Sequence, residues 1–241
     1  LLAVVWGSCV AQPGLFVLAI LPMGWAAYVA TSLVFRLVAT GVPGRARRGS
    51  RYWEGLRAFT LRQVEGHVST GCQALSCTCV LVACAVCMIC AGLLFSVGQR
   101  AAGLADPGAL SEASLAPIGY VGIFYGEAFL VAAVAVLALQ QVSQAADGRR
   151  AYATLMALGT DERQARAAVR AQVGVAFALP AALAVVHDCF GLMLVRQLAG
   201  GVPDEVFLAI AACSVVGTLG LLALYYLLCV RECARVLLGE V

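Results

Sequence analysis

Five apolar runs, each long enough to cross a lipid bilayer, leave this chain few choices of fold. They lie at about 14–39, 73–97, 117–140, 171–193 and 206–229, and a helix needs roughly 20 residues to span the hydrocarbon core. The composition agrees: 62% of residues are apolar and 12% charged, where soluble domains carry about 25% charged residues, and the mean hydropathy is +0.93. An all-α integral membrane protein is expected. Residues 1–11 form a shorter apolar run ending at Gln12-Pro13. With no basic flank and no small-residue cleavage site it reads as a truncated spanning helix, not a signal peptide, which makes the chain a fragment of a longer polypeptide.

Arginine gives the orientation. All sixteen basic residues are Arg, and only Arg100 and Arg196 fall outside 36–62, 149–170 and 231–235. Positive residues stay on the cytoplasmic side during insertion, so 40–72, 141–170 and the C-terminus are expected inside, with 98–116 and 194–205 outside. The net charge of +3 is thus a topological signal. It does not point to nucleic acid, because the Arg residues flank helices and form no basic stripe with stacking aromatics.

The segment 40–72 is expected to be a cytoplasmic amphipathic linker. It opens on the breaker Gly41-Val42-Pro43-Gly44 and the basic run Arg45, Arg47, Arg48, Arg51. Tyr52, Leu56, Phe59 and Gln63 then recur on one helical side, with Glu54, Arg57, Arg62 and Glu65 mostly elsewhere. Such a helix could lie in the headgroup plane or extend the next spanning helix. In the loop 141–170, Tyr152, Leu155, Met156 and Leu158 continue a helix from the membrane, and Gly159 supplies the positive φ of a helix end. Thr160 is placed to cap the next helix, with Asp161 and Glu162 favoured by its N-terminal dipole. Arg163, Arg166 and Arg170, spaced i, i+3, i+7, make one face basic. That face suits anionic lipid or an acidic groove on another protein.

Catalytic chemistry finds little purchase. The chain has no Lys, so a phosphate-binding loop of the Walker A kind, whose Lys reaches the phosphates, is ruled out, as is Schiff-base chemistry. Eleven Cys include Cys77, Cys79, Cys84, Cys87 and Cys90, but these fall within an apolar helix, where Cys behaves as a small hydrophobe; no metal site is assigned. His67 is expected to be a satisfied polar residue. A polar intramembrane site could be formed by Glu127, an acid well inside a span, and by the adjacent His187 and Asp188.

The stretch DGRRAYATLMALGTDERQARAAVRAQVGVAFALPAALAVVH, 147–187, with Tyr152, Leu155, Leu158, Gly159, Gln172, Phe177, Pro180 and His187, resembles the FtsX-like permease domain of ABC transporters, most closely the bacitracin-export (Bce-type) branch. Residues 51–95, a tyrosine and glycine followed by Phe59-x-Leu61-Arg62-Gln63 and a span, look like the family's lead-in. Residues 117–141 resemble the helix before its coupling loop. The resemblance implies an FtsX-like domain of four transmembrane helices over 73–241, with a cytoplasmic coupling loop at 141–170. It would be preceded by one complete and one truncated transmembrane helix within 1–39. It implies a non-catalytic permease subunit in a bacterial cell membrane, paired with a second FtsX-like domain and with cytoplasmic ABC ATPase subunits that bind the ATP. Tyr152, Leu155, Leu158, Gly159, Thr160, Asp161, Glu162, Arg163, Arg166 and Arg170 would contact the ATPase. Bce-type members resist antimicrobial peptides and often work with a sensor kinase. They usually carry a large extracellular domain where this chain has only the Gln99–Ala116 loop.

Two other readings use other residues. An ion- or proton-coupled carrier would rest on Glu127 and His187-Asp188. A thiol-based metal carrier would rest on Cys77–Cys90.

Overall fold

A computed structural model describes residues 13–98 apart from 48 and 54, residues 112–198 and 201–238, and the isolated positions 4, 7 and 11. Most of the first apolar run, and residues 99–111 of the outer loop, lie outside the described residues, and with them the expected truncated helix.

The chain is helical, and no strand occurs among the described residues. Helix α1 spans Pro13–Ala46 and is followed by a 3₁₀ turn at Ser50–Trp53. Helix α2 spans Arg57–Thr70. Helix α3 spans Cys72–Leu93 and runs into a π turn at Leu94–Gly98. Helices α4, α5 and α6 span Glu112–Ala157, Glu162–Leu198 and Asp204–Leu238. Among the described residues, four stretches are long and apolar enough to cross a membrane: Cys72–Gly98, Pro117–Ala157, Glu162–Gln197 and Asp204–Leu237.

Element boundaries depart from the sequence expectation in two places. Gly41-Val42-Pro43-Gly44 does not break α1, which continues to Ala46. Pro43 lies close to the helix end, where its missing N–H removes one hydrogen bond without stopping the turn. The residue preceding the first turn of α5 is Asp161, not Thr160: the Asp161 carbonyl accepts from the N–H groups of Gln164 and Ala165 at 3.0 and 3.1 Å. The cytoplasmic segment 141–170 turns only at 158–161 and, as the spacing of Tyr152, Leu155, Met156 and Leu158 implied, α4 continues from the membrane as a single helix of 46 residues. At about 1.5 Å per residue it is about 69 Å long, more than twice the roughly 30 Å of a hydrocarbon core.

The helices contribute segments to two compact units. The first comprises Leu1–Ala30, Cys79–Ala133 and Ala181–Leu221. Here α3 and α4 meet backbone to backbone. A methyl group added at Gly92 would come within 2.7 Å of the Gly119 carbonyl oxygen and the Ile123 nitrogen, and one at Gly126 within 3.0 Å of the Ala85 carbonyl oxygen. Cys90, Leu94, Val202 and Ala211 form a buried cluster, covered by Leu192 and Phe207 among others. The turn between α5 and α6 uses Gly201 at φ +89. It is clasped by Arg196, whose Nε donates to Asp204 Oδ1 at 3.1 Å while the guanidinium lies 5.5 Å from the centre of the Phe207 ring.

The second unit comprises Thr31–Thr78, Val134–Pro180 and Leu222–Val241. Only Gly71 separates α2 from α3, and hydrogen bonds run through it: its N–H donates to the His67 carbonyl and its own carbonyl accepts from Leu75, both at 2.9 Å. The lead-in is therefore close to an extension of α3. Tyr226 of α6 packs edge-on to Phe177 of α5, with ring centroids 5.9 Å apart, and its hydroxyl donates to the Arg170 carbonyl at 3.4 Å.

Candidate functional site

The expected coupling residues gather at the hairpin of α4 and α5 in the second unit. Gly159 adopts φ +88. The Thr160 N–H donates to the Leu155 carbonyl at 3.2 Å and the Gly159 N–H to the Met156 carbonyl at 3.0 Å, the paired bonds of a Schellman motif. They satisfy the last carbonyls of α4 and turn the chain sharply into α5. Outside this closed turn the side chains face outward: Leu158 is 79% exposed, and Asp161, Glu162 and Arg163 are exposed as well. Arg166 pairs with Glu162 one turn earlier at 2.6 Å. Arg170 is exposed, Leu155 half-buried, and Tyr152 buried.

The buried Tyr152 marks where the arms of the hairpin are tied together. Its hydroxyl donates to Gln172 Oε1 of α5 at 3.2 Å, and its ring packs edge-on to Phe59 of α2, with centroids 5.3 Å apart. Gln172 in turn donates from Nε2 to His67 Nδ1 of α2 at 2.6 Å. In this arrangement Oε1 accepts from the hydroxyl and Nε2 donates, so that His67 accepts as a neutral imidazole. Burial lowers the pKa of His67 below its ordinary value, and the negative charge of Asp147 partly opposes that shift. One side chain from each of α2, α4 and α5 is thereby locked against the others. The His67–Gln172 link was not foreseen. Its trace in the sequence is Gln172 itself, a polar residue on the otherwise apolar buried stripe Ala165, Ala168, Val169, Val173, Ala176.

Beside this lock lies a cleft of about 870 Å³, whose walls are the α2 side chains Leu61, Val64 and Val68 and the α5 side chains Ala168, Ala171 and Val175. Arg57 and Glu65 also line it, and Glu65 accepts a hydrogen bond from Arg47 at 2.7 Å.

The expected intramembrane polar residues all fall in the first unit but do not share one environment. His187 and Asp188 of α5 are buried, whereas Glu127 is exposed on α4. Gly119, Gly122 and Gly126 turn one face of α4 toward α3, and at 100° per residue Glu127 points about a quarter turn away from that face. Asp188 meets a residue of the Cys-rich helix: the Cys87 thiol lies 3.9 Å from its Oδ1, at a point so close that a methyl at Gly191 would come 2.5 Å from Cys87 Sγ. The other thiols of α3 divide between faces. Cys77 and Cys84 are exposed, while Cys79 and Cys90 are buried. Among the described residues no group of three or more His, Cys, Asp or Glu side chains is arranged to hold a metal ion. No protein-family model, curated protein or solved structure matches the chain.

Proposed function

We propose that this chain is the membrane subunit of an ATP-driven transporter of the FtsX-like permease kind, receiving force from a separate cytoplasmic ABC ATPase through the tip of the α4–α5 hairpin. The observation that carries the reading is the hairpin itself. Its two arms are unbroken helices of 46 and 37 residues, each longer than a bilayer requires, joined by a four-residue turn with an exposed apolar side chain at its apex. A helix transmits displacement along its length because every turn is hydrogen-bonded to the next, and the Tyr152–Gln172–His67 lock keeps the arms from sliding past one another. Leu158 would insert into the ATPase surface, and Arg163, Arg166 and Arg170 would face acidic groups there. ATP bound and hydrolysed by that partner would rock the hairpin and with it the spans. The substrate class that suits the resemblance is an antimicrobial peptide, a lipid or a lipoprotein, extracted or exported across a bacterial cell membrane, in company with a second FtsX-like domain.

The test is co-purification with a cytoplasmic ATP-binding-cassette protein from the same cells. Arg163→Glu, Arg166→Glu and Arg170→Glu together are expected to abolish association; intact association and intact coupled ATPase activity would sink the reading.

A second reading has one observation in its favour, the burial of Asp188 in an apolar span with a thiol at its carboxylate. A carboxyl so placed suits a proton- or ion-coupled carrier. Substrate uptake driven by a proton gradient without ATP, and lost in Asp188→Asn, would replace the first reading with this one.

A further inference from the structure

We propose that the cleft between α2 and α5 is a binding site for one membrane phospholipid with an acidic headgroup, its acyl chain lying along α5 and its phosphate at the Arg57 end. The volume of about 870 Å³ lies within the range of about 300–1,000 Å³ typical of small-molecule pockets. The shape of the wall argues for a chain-like occupant. The α5 side of the cleft is one helical stripe, Gln164, Ala167, Ala168, Ala171, Val175 and Leu179, recurring about once per turn. From Gln164 to Leu179 the stripe runs about 22 Å at helical rise, more than the roughly 15 Å depth of one leaflet's hydrocarbon. Small side chains keep the stripe shallow and smooth, so that it suits an alkyl chain better than a bulky rigid ring system.

The stripe also crosses a chemical boundary. Ala171, Val175 and Leu179 belong to the apolar run 171–193, whereas Gln164 lies in the charged stretch before it. A cleft apolar at one end and flanked by charge at the other matches a lipid's own division into tail and head. The charge has the right sign: 36–62 contains seven Arg against one acid, Glu54, and of the two charged residues in the lining, Arg57 and Glu65, Glu65 is paired with Arg47 at 2.7 Å. Basic residues at a membrane surface attract anionic lipid. Tyr52 lines the cleft, and its neighbour Trp53, whose ring meets it edge-on at 4.9 Å, is 77% exposed. Tryptophan with its ring in the open is typical of the headgroup level, where one side of the ring is wet and the other apolar.

The proposal goes beyond the transporter reading and stands apart from it, since it is tested with no ATPase present. Purified full-length chain, delipidated in detergent, is incubated with equimolar phosphatidylglycerol and phosphatidylcholine, and retained lipids are counted by native mass spectrometry. One retained phospholipid is expected, with phosphatidylglycerol favoured at least threefold. Ala171→Phe, which fills the tail end, is expected to lose it. Arg57→Gln, a change outside the packed core, is expected to keep a lipid but bring the two headgroups to equal occupancy. Retention of neither lipid by the wild type would overturn the proposal, as would equal retention of both. It would also fall if an Ala171→Phe protein with wild-type unfolding temperature still held the lipid, if Arg57→Gln kept the preference, or if the cleft were closed by a second copy of the chain, seen as a dimer that Ala171→Phe dissociates.

Discussion

The two units solve the same problem, holding long helices together, by different chemistry. In the first, α3 and α4 touch through glycine and backbone, around Gly92, Gly119 and Gly126. In the second, α2, α4 and α5 are joined by side-chain hydrogen bonds through Tyr152, Gln172 and His67. Hydrophobic burial gives little preference for helix over lipid inside a bilayer, so association there leans on close van der Waals approach, which small residues permit. Where the arginine-rich segments lie, a polar lock can specify one geometry among many, because the Gln172 amide reaches a partner at each end only when α2, α4 and α5 are in register. The first kind of contact is unforgiving of added volume. The second is unforgiving of lost polarity.

The sharpest way to break that contrast is Gly92→Ala. Its new methyl would meet backbone atoms of α4 at 2.7 Å, and backbone cannot rotate aside. Overpacking of this kind costs about 1–3 kcal/mol, and the upper half of that range is expected. Unfolding in mixed micelles, followed by circular dichroism against increasing denaturing detergent, reads the effect. A neutral outcome would show that the helices are not in backbone contact at this point.

In the second unit the corresponding change is Gln172→Leu, which keeps volume and removes polarity. It strands the Tyr152 hydroxyl and His67 Nδ1, and an unsatisfied buried group costs about 1–3 kcal/mol. Tyr152→Phe removes one bond while keeping the ring against Phe59, and about 1 kcal/mol is expected. The lock also carries a pH signature. Burial lowers the pKa of His67 in the folded protein, so the unfolded chain binds that proton more readily. The contribution is complete above the unfolded pKa of about 6.5 and is lost as pH falls through the window between the unfolded and folded values. Wild-type protein should therefore unfold more readily at pH 5.5 than at pH 7.5, and His67→Gln should remove that part of the difference. An unchanged pH response in His67→Gln would assign it to other groups.

Gly159→Ala tests the turn between the arms. At φ +88 a Cβ is strained whatever space surrounds it, and a loss of about 1 kcal/mol is expected in the same denaturation assay, with the Schellman bonds weakened.

How much of this was legible in the sequence depends on the range of the interactions involved. Local signals were readable: of the five apolar runs expected to span, the four from 73 onward coincide with membrane-length helices, and Gly159 after a helical pattern marks the end of α4. The continuity of α4 past residue 140 was readable from the helical spacing of Tyr152, Leu155, Met156 and Leu158, although hydropathy alone falls away at Gln140-Gln141. The identity of the residue before α5 turned on a one-residue shift between Thr160 and Asp161, two good capping residues side by side. The His67–Gln172 bond was out of reach, joining positions 105 residues apart, and so was the meeting of Cys87 with Asp188, at 101. Which face of a helix is buried was partly encoded. The spacing of Gly119, Gly122 and Gly126 marks the close face of α4 and so leaves Glu127 off it, an inference that composition and depth in the span do not supply.

The smallest structural effect is expected at the apex, from Leu158→Ser. Leu158 is 79% exposed, and the contact that holds it in place is its N–H on the Thr154 carbonyl at 3.0 Å, which any residue other than proline can make. Surface changes of this kind usually alter stability by no more than about 0.5 kcal/mol. Serine at 158 is therefore expected to leave the unfolding curve unchanged, in contrast with Gly159→Ala one residue later. If the apex inserts into an ATPase, the same substitution removes an apolar anchor and should weaken association at least tenfold, read by titration of the labelled partner onto reconstituted protein. A silent unfolding curve with weakened binding separates a surface kept for a partner from a residue kept for the fold. Unchanged binding would instead move any docking site away from the turn and onto the basic face of α5.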